Sequence, residues 1–83
     1  MNRRAIEVVE VFDIESRGGL VVVGKGVLPE PHDVLLVNGK GKIHVLGLEF
    51  HQPTESGMIA FVVERREKLK PGDVLLPAPE AIR

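Results

Sequence analysis

Apolar residues along this chain fall in short runs separated by glycine, proline, aspartate or asparagine. No apolar stripe with the 3.6-residue period of a helix extends over ten residues. The one helix candidate is a single turn at Arg65–Leu69, which Pro71 and Gly72 end. Six short strands in one small chain favour a closed β-barrel, because closure leaves no exposed strand edge. The predicted strands are Ile6–Ile14, Leu20–Val27, Val34–Val37, Ile43–Phe50, Met58–Glu64 and Val74–Leu76.

Alternation along the strands predicts which side chains form the core. We expect two apolar faces to be buried: Leu46, Leu48 and Phe50 in the fourth strand, and Ile59, Phe61 and Val63 in the fifth. Glu49 and His51 then share an outward face. In the first strand the alternation changes phase at Val8 and Val9, which predicts a β-bulge.

One six-residue segment occurs twice in similar form. PHDVLL, residues 31–36, returns as PGDVLL, residues 71–76. The flanking sequences do not match, so we interpret the pair as two units of a turn followed by a strand. Proline fixes φ, glycine or aspartate turns the chain, and an apolar strand follows.

Length and composition place the chain among small soluble proteins. Eighty-three residues indicate one domain, here 1–83, and there is no cysteine for a disulfide or for thiol chemistry. No signal peptide and no apolar run of membrane-spanning length is seen, which favours a cytoplasmic protein without a membrane partner. A net charge of −1 gives no electrostatic attraction for nucleic acid. Three aromatic residues are few for a surface that stacks bases. Abundant charge with only three Asn and Gln suggests a thermophilic source.

The stretch GGLVVVGKG, residues 18–26, has the glycine and lysine spacing of a phosphate-binding loop. Such a loop needs flexible backbone between its glycines, whereas branched residues fill this one and favour a strand. Gly26 stands where a magnesium-binding serine or threonine is required, and Pro29 follows where a helix must begin. We therefore expect no nucleotide and no other cofactor.

Catalytic and metal-binding patterns are also weak. His51 lies two residues from Glu49 on one strand face, but no second half of a metal site is visible. The few hydroxyl residues lie in turn-like segments, and none has a histidine beside it in sequence. The sequence thus predicts no metal site and no enzymatic activity.

The order of strands and turns resembles the second domain of translational GTPases such as elongation factor Tu. The segments that carry the resemblance are VFDIESRGGLVVVGKGVL, HDVLLV, VLGLEFHQP, SGMIAFVVE and LKPGDVL, which together span about residues 8–76. In that family the domain is a six-stranded antiparallel Greek-key barrel beside a nucleotide-binding domain. His32 replaces the family's glycine, the loop after His51 is shorter, and Glu64 stands where elongation factor Tu has a basic residue. Residues that contact transfer RNA are therefore not carried over.

The resemblance implies a free-standing, non-enzymatic binding module for a protein or ribonucleoprotein partner. The small barrel protein of RNA-guided pseudouridylation particles is similar in architecture but shares no specific motif. The alternative is a homo-oligomeric structural protein, such as a homodimer, without an RNA role. The candidate partner-binding residues, with an ordinary solvated rim as the competing interpretation, are Arg17, Glu49, His51, Arg65 and Arg66.

Overall fold

The computed structural model describes residues 5–49, 52–65 and 68–78. Neighbouring strands are all antiparallel, and they close a ring in the order β1-β2-β5-β4-β3-β6. The prediction of a closed, six-stranded, all-β barrel is confirmed, and the strand ends differ from those predicted by at most two residues. The strands are β1 Ile6–Ile14, β2 Gly19–Lys25, β3 Val34–Val37, β4 Gly41–Leu48, β5 Met58–Val63 and β6 Val74–Pro77.

Helical structure in the described residues is limited to one three-residue 3₁₀ turn, Glu15–Arg17, between β1 and β2. Gly18 ends this turn at a φ of 76°, a left-handed conformation that glycine adopts without strain. The predicted helical turn at Arg65–Leu69 includes residues 66 and 67, which lie outside the described part of the chain. In residues 5–49, 52–65 and 68–78, no helix has the length and apolar character needed to cross a membrane.

The barrel interior is filled by one cluster of aliphatic side chains around Phe61, which is fully buried. Phe61 and Val63 belong to this cluster, and Ile59 packs against it, so the predicted inner face of β5 is confirmed. Burying this apolar surface supplies most of the driving force for folding. The cluster contains Ile6, Val8, Leu20, Val22, Leu35, Ile43, Val45, Phe61, Val63 and Leu75.

The predicted inner face of β4 is wrong. Ile43 and Val45 fill the interior, whereas Leu46 and Leu48 are 48% and 44% exposed. Both alternating sets of this strand carry apolar residues, so hydrophobicity alone does not distinguish the two faces. Phe50, the third member of the predicted face, lies outside the described residues.

Two β-bulges bend the barrel wall. The pairing of β1 with β2 shifts between Val8 and Glu10, which confirms the bulge predicted there. A second shift, between Val45 and Gly47, interrupts the pairing of β4 with β5. An extra residue at a bulge bends the strand and increases its local twist.

The two copies of the repeated segment lie in equivalent places. Each forms a turn and then a strand, as predicted, and the two strands β3 and β6 pair with each other at Leu36 and Leu76. In both turns the aspartate carboxylate accepts a hydrogen bond from the backbone N–H three residues earlier, at 2.9 Å for Asp33 and 3.0 Å for Asp73. The segments therefore share a turn geometry as well as a sequence.

This equivalence extends to a pseudo-two-fold relationship between two half-barrels, β6-β1-β2 and β3-β4-β5. Each turn is hydrogen-bonded to the strand residue just before a bulge: Gly72 N–H donates to the Val8 carbonyl, and His32 N–H to the Val45 carbonyl, both at 2.9 Å. The return bonds also match, from Val8 N–H to the Asp73 carbonyl at 2.8 Å and from Val45 N–H at 2.9 Å to the carbonyl of Asp33. The two half-barrels are similar in sequence over this turn and the start of the strand that follows it, and the flanking sequences do not match.

The glycine-rich stretch is strand β2, in the wall of the barrel. Its residues pair with β1 on one side and β5 on the other, so its backbone N–H groups are engaged in the sheet. A Cβ atom at Gly24 would come within 2.6 Å of the carbonyl oxygen of Glu7. Gly24 is therefore required by close packing of β2 against β1, since no real Cβ contact is that short.

Candidate functional site

An apolar surface lies on the outside of the barrel, where β1, β2, β5 and β4 run side by side. Three of its side chains are exposed, Phe12 at 45%, Ile14 at 38% and Leu46 at 48%. Two others, Val21 and Val62, are nearly buried although they do not belong to the interior cluster. We name these five residues the outer patch.

Strand register brings the outer patch together. Phe12 lies opposite Val21, and Val21 lies opposite Val62, which forms one row across three strands. Ile14 lies opposite Gly19. A Cβ atom at Gly19 would lie 3.0 Å from the Cδ1 atom of Leu46, so the missing side chain of this glycine leaves room for the leucine on the outer surface.

A bidentate ion pair borders the outer patch. The Arg17 Nε and Nη2 atoms donate to the two carboxylate oxygens of Glu49, each at 2.9 Å. Hydrogen bonding to Glu49, and then its negative charge, raises the pKa of Arg17 above the ordinary value. The pair connects the β1–β2 turn to the end of β4, so it spans strands β2 and β5, which lie between these two points in the sheet.

Glu49, which was predicted to lie on an outward face, is largely covered by its neighbours. Its side chain is only 8% exposed, whereas that of Arg17 is 34% exposed. A buried carboxylate is stable only when it is paired and hydrogen-bonded, as this one is. Of the five predicted partner-binding residues, the structure thus joins Arg17 and Glu49 directly.

Arg65 is held by a different carboxylate. Its Nε and Nη2 atoms donate to the Oδ1 atom of Asp13 at 2.9 Å and 2.6 Å. Nη2 also approaches the Gly19 carbonyl oxygen at 3.5 Å. Arg65 therefore shares the β1–β2 end of the barrel with Arg17 but does not join the same pair.

The remaining two predicted residues, His51 and Arg66, lie outside the described residues. In β4, His44 Nδ1 lies 2.9 Å from the Glu64 carboxylate, and the His44 backbone N–H donates to the same oxygen. Within the described ranges, no three histidine, aspartate or glutamate side chains converge as metal ligands. The Arg17–Glu49 pair thus borders the outer patch, whereas Asp13, opposite Leu20 of the interior cluster, holds Arg65 at the end of the barrel.

Comparison with known proteins gives no family assignment: no family model, no curated protein and no solved structure matches the chain.

Sequence reasoning identified part of the polar border of this surface but missed its apolar centre. Phe12 and Ile14 were assigned to a strand without a choice of face, and Leu46 was assigned to the core. A usable signal was present at Gly19, because a glycine in a strand marks close approach of another group. The structure shows that the nearest group is the backbone carbonyl oxygen of Val63, followed by the side chain of Leu46.

Proposed function

We propose that this chain is a non-enzymatic, cytoplasmic binding module of the translation-factor domain 2 type, which contacts a protein or ribonucleoprotein partner through the outer patch. The observation that carries this proposal is the exposure of Phe12, Ile14 and Leu46 on one continuous surface. Apolar patches with a polar rim are typical of protein interaction sites.

The border of the patch suits recognition. Arg17 keeps a third of its side chain exposed while Glu49 holds it in a fixed orientation. An arginine that is already ordered loses less conformational entropy when a partner binds, which favours affinity. Arginine and aromatic side chains are also enriched among residues that dominate binding energy. Arg17 and Phe12 are therefore the expected anchors at the partner's surface.

The resemblance of five sequence segments, in order, to the second domain of translation factors supports this proposal. The competing proposal, a homo-oligomeric structural protein, would use the same apolar surface for a second copy of the chain. Sedimentation at several protein concentrations distinguishes the two, because a self-associating patch produces a concentration-dependent dimer.

The test is capture of the partner from source-cell extract by tagged wild-type protein and by Leu46→Glu. Val27→Glu is the matched control, since Val27 is 51% exposed and follows the opposite end of β2. We expect Leu46→Glu to lose the partner and Val27→Glu to retain it, with the same melting temperature in both variants. Nuclease treatment of the captured material separates a protein from a ribonucleoprotein. Equal capture by the two variants would contradict a role for the outer patch.

A further inference from the structure

A cavity of about 680 Å³ opens to solvent at one end of the barrel, where its described lining comes from β1, from the start of β2, from Arg65 and from residues 68–71. Val11, Leu20 and Leu69 are apolar residues of its lining. Asp13, Arg65 and Lys68 are charged residues of the same lining. We name this cavity the barrel mouth. Its volume lies in the range of small-molecule sites, which often occupy the mouths of β-barrels.

The pseudo-two-fold relationship allows the barrel mouth to be compared with the equivalent positions of the other half-barrel. Counting back from the two equivalent aspartate turns, Leu28 corresponds to Lys68 and Pro29 corresponds to Leu69. Leu28 packs against the core and Pro29 is buried, whereas Lys68 is exposed. The half-barrels therefore differ at one of these two positions, where Lys68 stands in place of the apolar Leu28, while Leu69 is apolar like Pro29 and packs against the core.

The charges at the barrel mouth favour an anion. Arg65 uses Nε and Nη2 on Asp13, yet its side chain remains 42% exposed. Lys68 makes no ion pair with any residue in the described part of the chain. Lys70, also in the lining, is 75% exposed and reaches the buried Asp73 only at 3.5 Å. Among the described lining residues, Arg65, Lys68 and Lys70 carry positive charge and Asp13 carries negative charge, so this part of the lining has a net positive charge.

We propose that the barrel mouth binds a carboxylate carried on an apolar chain, of the size of a medium-chain fatty acid. The carboxylate lies between Arg65 and Lys68, where charge-assisted hydrogen bonds are available. The chain lies against Val11, Leu20 and Leu69 and is removed from water there. This site is separate from the outer patch, so it does not depend on the proposed function of that surface.

The first experiment is a titration of the ¹⁵N-labelled protein with octanoate, followed by amide chemical shifts. Octanol and acetate are the comparison ligands, because each keeps one part of the proposed chemistry. We expect saturable shifts at Val11 and Leu69 with octanoate, and affinities weaker by about tenfold or more for octanol, which lacks the charge. Acetate lacks the apolar chain and should not saturate these shifts.

The second experiment compares matched charge variants. Lys68→Gln and Arg65→Gln should each weaken octanoate binding by about tenfold. Lys25→Gln removes the same charge at the far end of β2 and should leave the affinity unchanged. The melting temperature of each variant establishes that it is folded.

Three results would overturn the proposal: octanoate shifts that do not saturate, octanol binding as tight as octanoate binding, or equal losses in Lys68→Gln and Lys25→Gln. The wild-type comparison of octanoate with octanol decides the matter even where a variant fails to fold.

Discussion

His32 occupies, at a φ of 77°, the turn position that Gly72 occupies at 98° in the other half-barrel. The hydrogen bonds that hold the two turns are matched, so the same backbone conformation is imposed on both residues. Glycine adopts it without strain, whereas a residue with a Cβ atom does not. The hydrogen bonds of the turn therefore hold His32 in a left-handed conformation that histidine does not favour.

We expect His32→Gly to increase the free energy of unfolding by about 0.5–1 kcal/mol, because relief of the left-handed strain exceeds the entropy that glycine adds to the unfolded chain. The matched variant Gly72→Ala should lower it by about 1–2 kcal/mol. Urea unfolding measures both. A loss of stability in His32→Gly would mean that the histidine side chain contributes contacts that outweigh the strain.

The glycines of strands β2 and β4 should respond differently to the same substitution. Gly24→Ala should cost about 1–3 kcal/mol, because its Cβ atom would overlap the Glu7 carbonyl and crowd the Ile6 side chain. Gly47→Ala should change stability by less than about 0.5 kcal/mol, since nothing lies within 4 Å of the added atom. Thermal unfolding compares the two, and similar costs would contradict the close approach of β1 and β2.

The inner and outer apolar residues should be separable by truncation. Phe61→Ala should lower the free energy of unfolding by about 3–5 kcal/mol, because it empties the centre of the interior cluster. Leu46→Ala should cost less than about 1 kcal/mol, since this side chain is half exposed. Denaturant titration of both variants checks the face of β4. A loss at Leu46 as large as that at Phe61 would restore the predicted inward face.

Strand positions could be predicted from the sequence because each apolar run is short and is bounded by turn residues. The inner face of β5 could be predicted because Ile59, Phe61 and Val63 alternate without interruption. In β4 the same reasoning failed, because apolar residues stand in both alternating sets, with Ile43 and Val45 inside and Leu46 and Leu48 outside. Which set faces the interior is fixed by the neighbouring strands, and local periodicity does not contain that information.

The candidate site was harder to predict than the fold, because it depends on contacts between distant parts of the chain. Arg17 and Glu49 are 32 residues apart, and Asp13 and Arg65 are 52 residues apart. The sequence named Arg17, Glu49 and Arg65 as polar surface residues, but it could not assign them to two separate pairs. Such pairing follows from the strand order β1-β2-β5-β4, which brings the β1–β2 turn close to β5 and β4.

Asp73 lies at the centre of a buried hydrogen-bond network between β6 and the β3–β4 turn. Its side chain is 6% exposed and accepts hydrogen bonds from the Asn38 amide at 3.1 Å and from the Lys70 backbone N–H at 3.0 Å. Burial by itself raises the pKa of Asp73, but the bonds from Asn38 and Lys70, with the charge of Lys70, outweigh burial and leave the pKa below its ordinary value.

We expect Asp73→Asn to lower the free energy of unfolding at pH 7 by about 1–3 kcal/mol, because the Lys70 N–H then faces a poorer acceptor in a buried site. Asp33→Asn, in the equivalent and more exposed turn, is the matched control and should cost less. Chemical denaturation at pH 7 measures both variants. Equal losses of unfolding free energy in the two variants would mean that the burial of Asp73 does not increase its contribution to stability.

The lowered pKa of Asp73 predicts how the free energy of unfolding changes at acidic pH. A folded-state pKa below the unfolded value means that the ionised group stabilises the fold above the unfolded pKa, at about pH 4 and higher. This contribution is lost as the pH falls through the folded pKa, because the unfolded chain binds the proton more tightly. Unfolding free energy measured between about pH 6 and pH 2 should therefore decline more steeply in wild-type protein than in Asp73→Asn. If the free energy of unfolding fell equally steeply with pH in both proteins, the lowered pKa would be contradicted. The network would then contribute through hydrogen bonds that do not depend on charge.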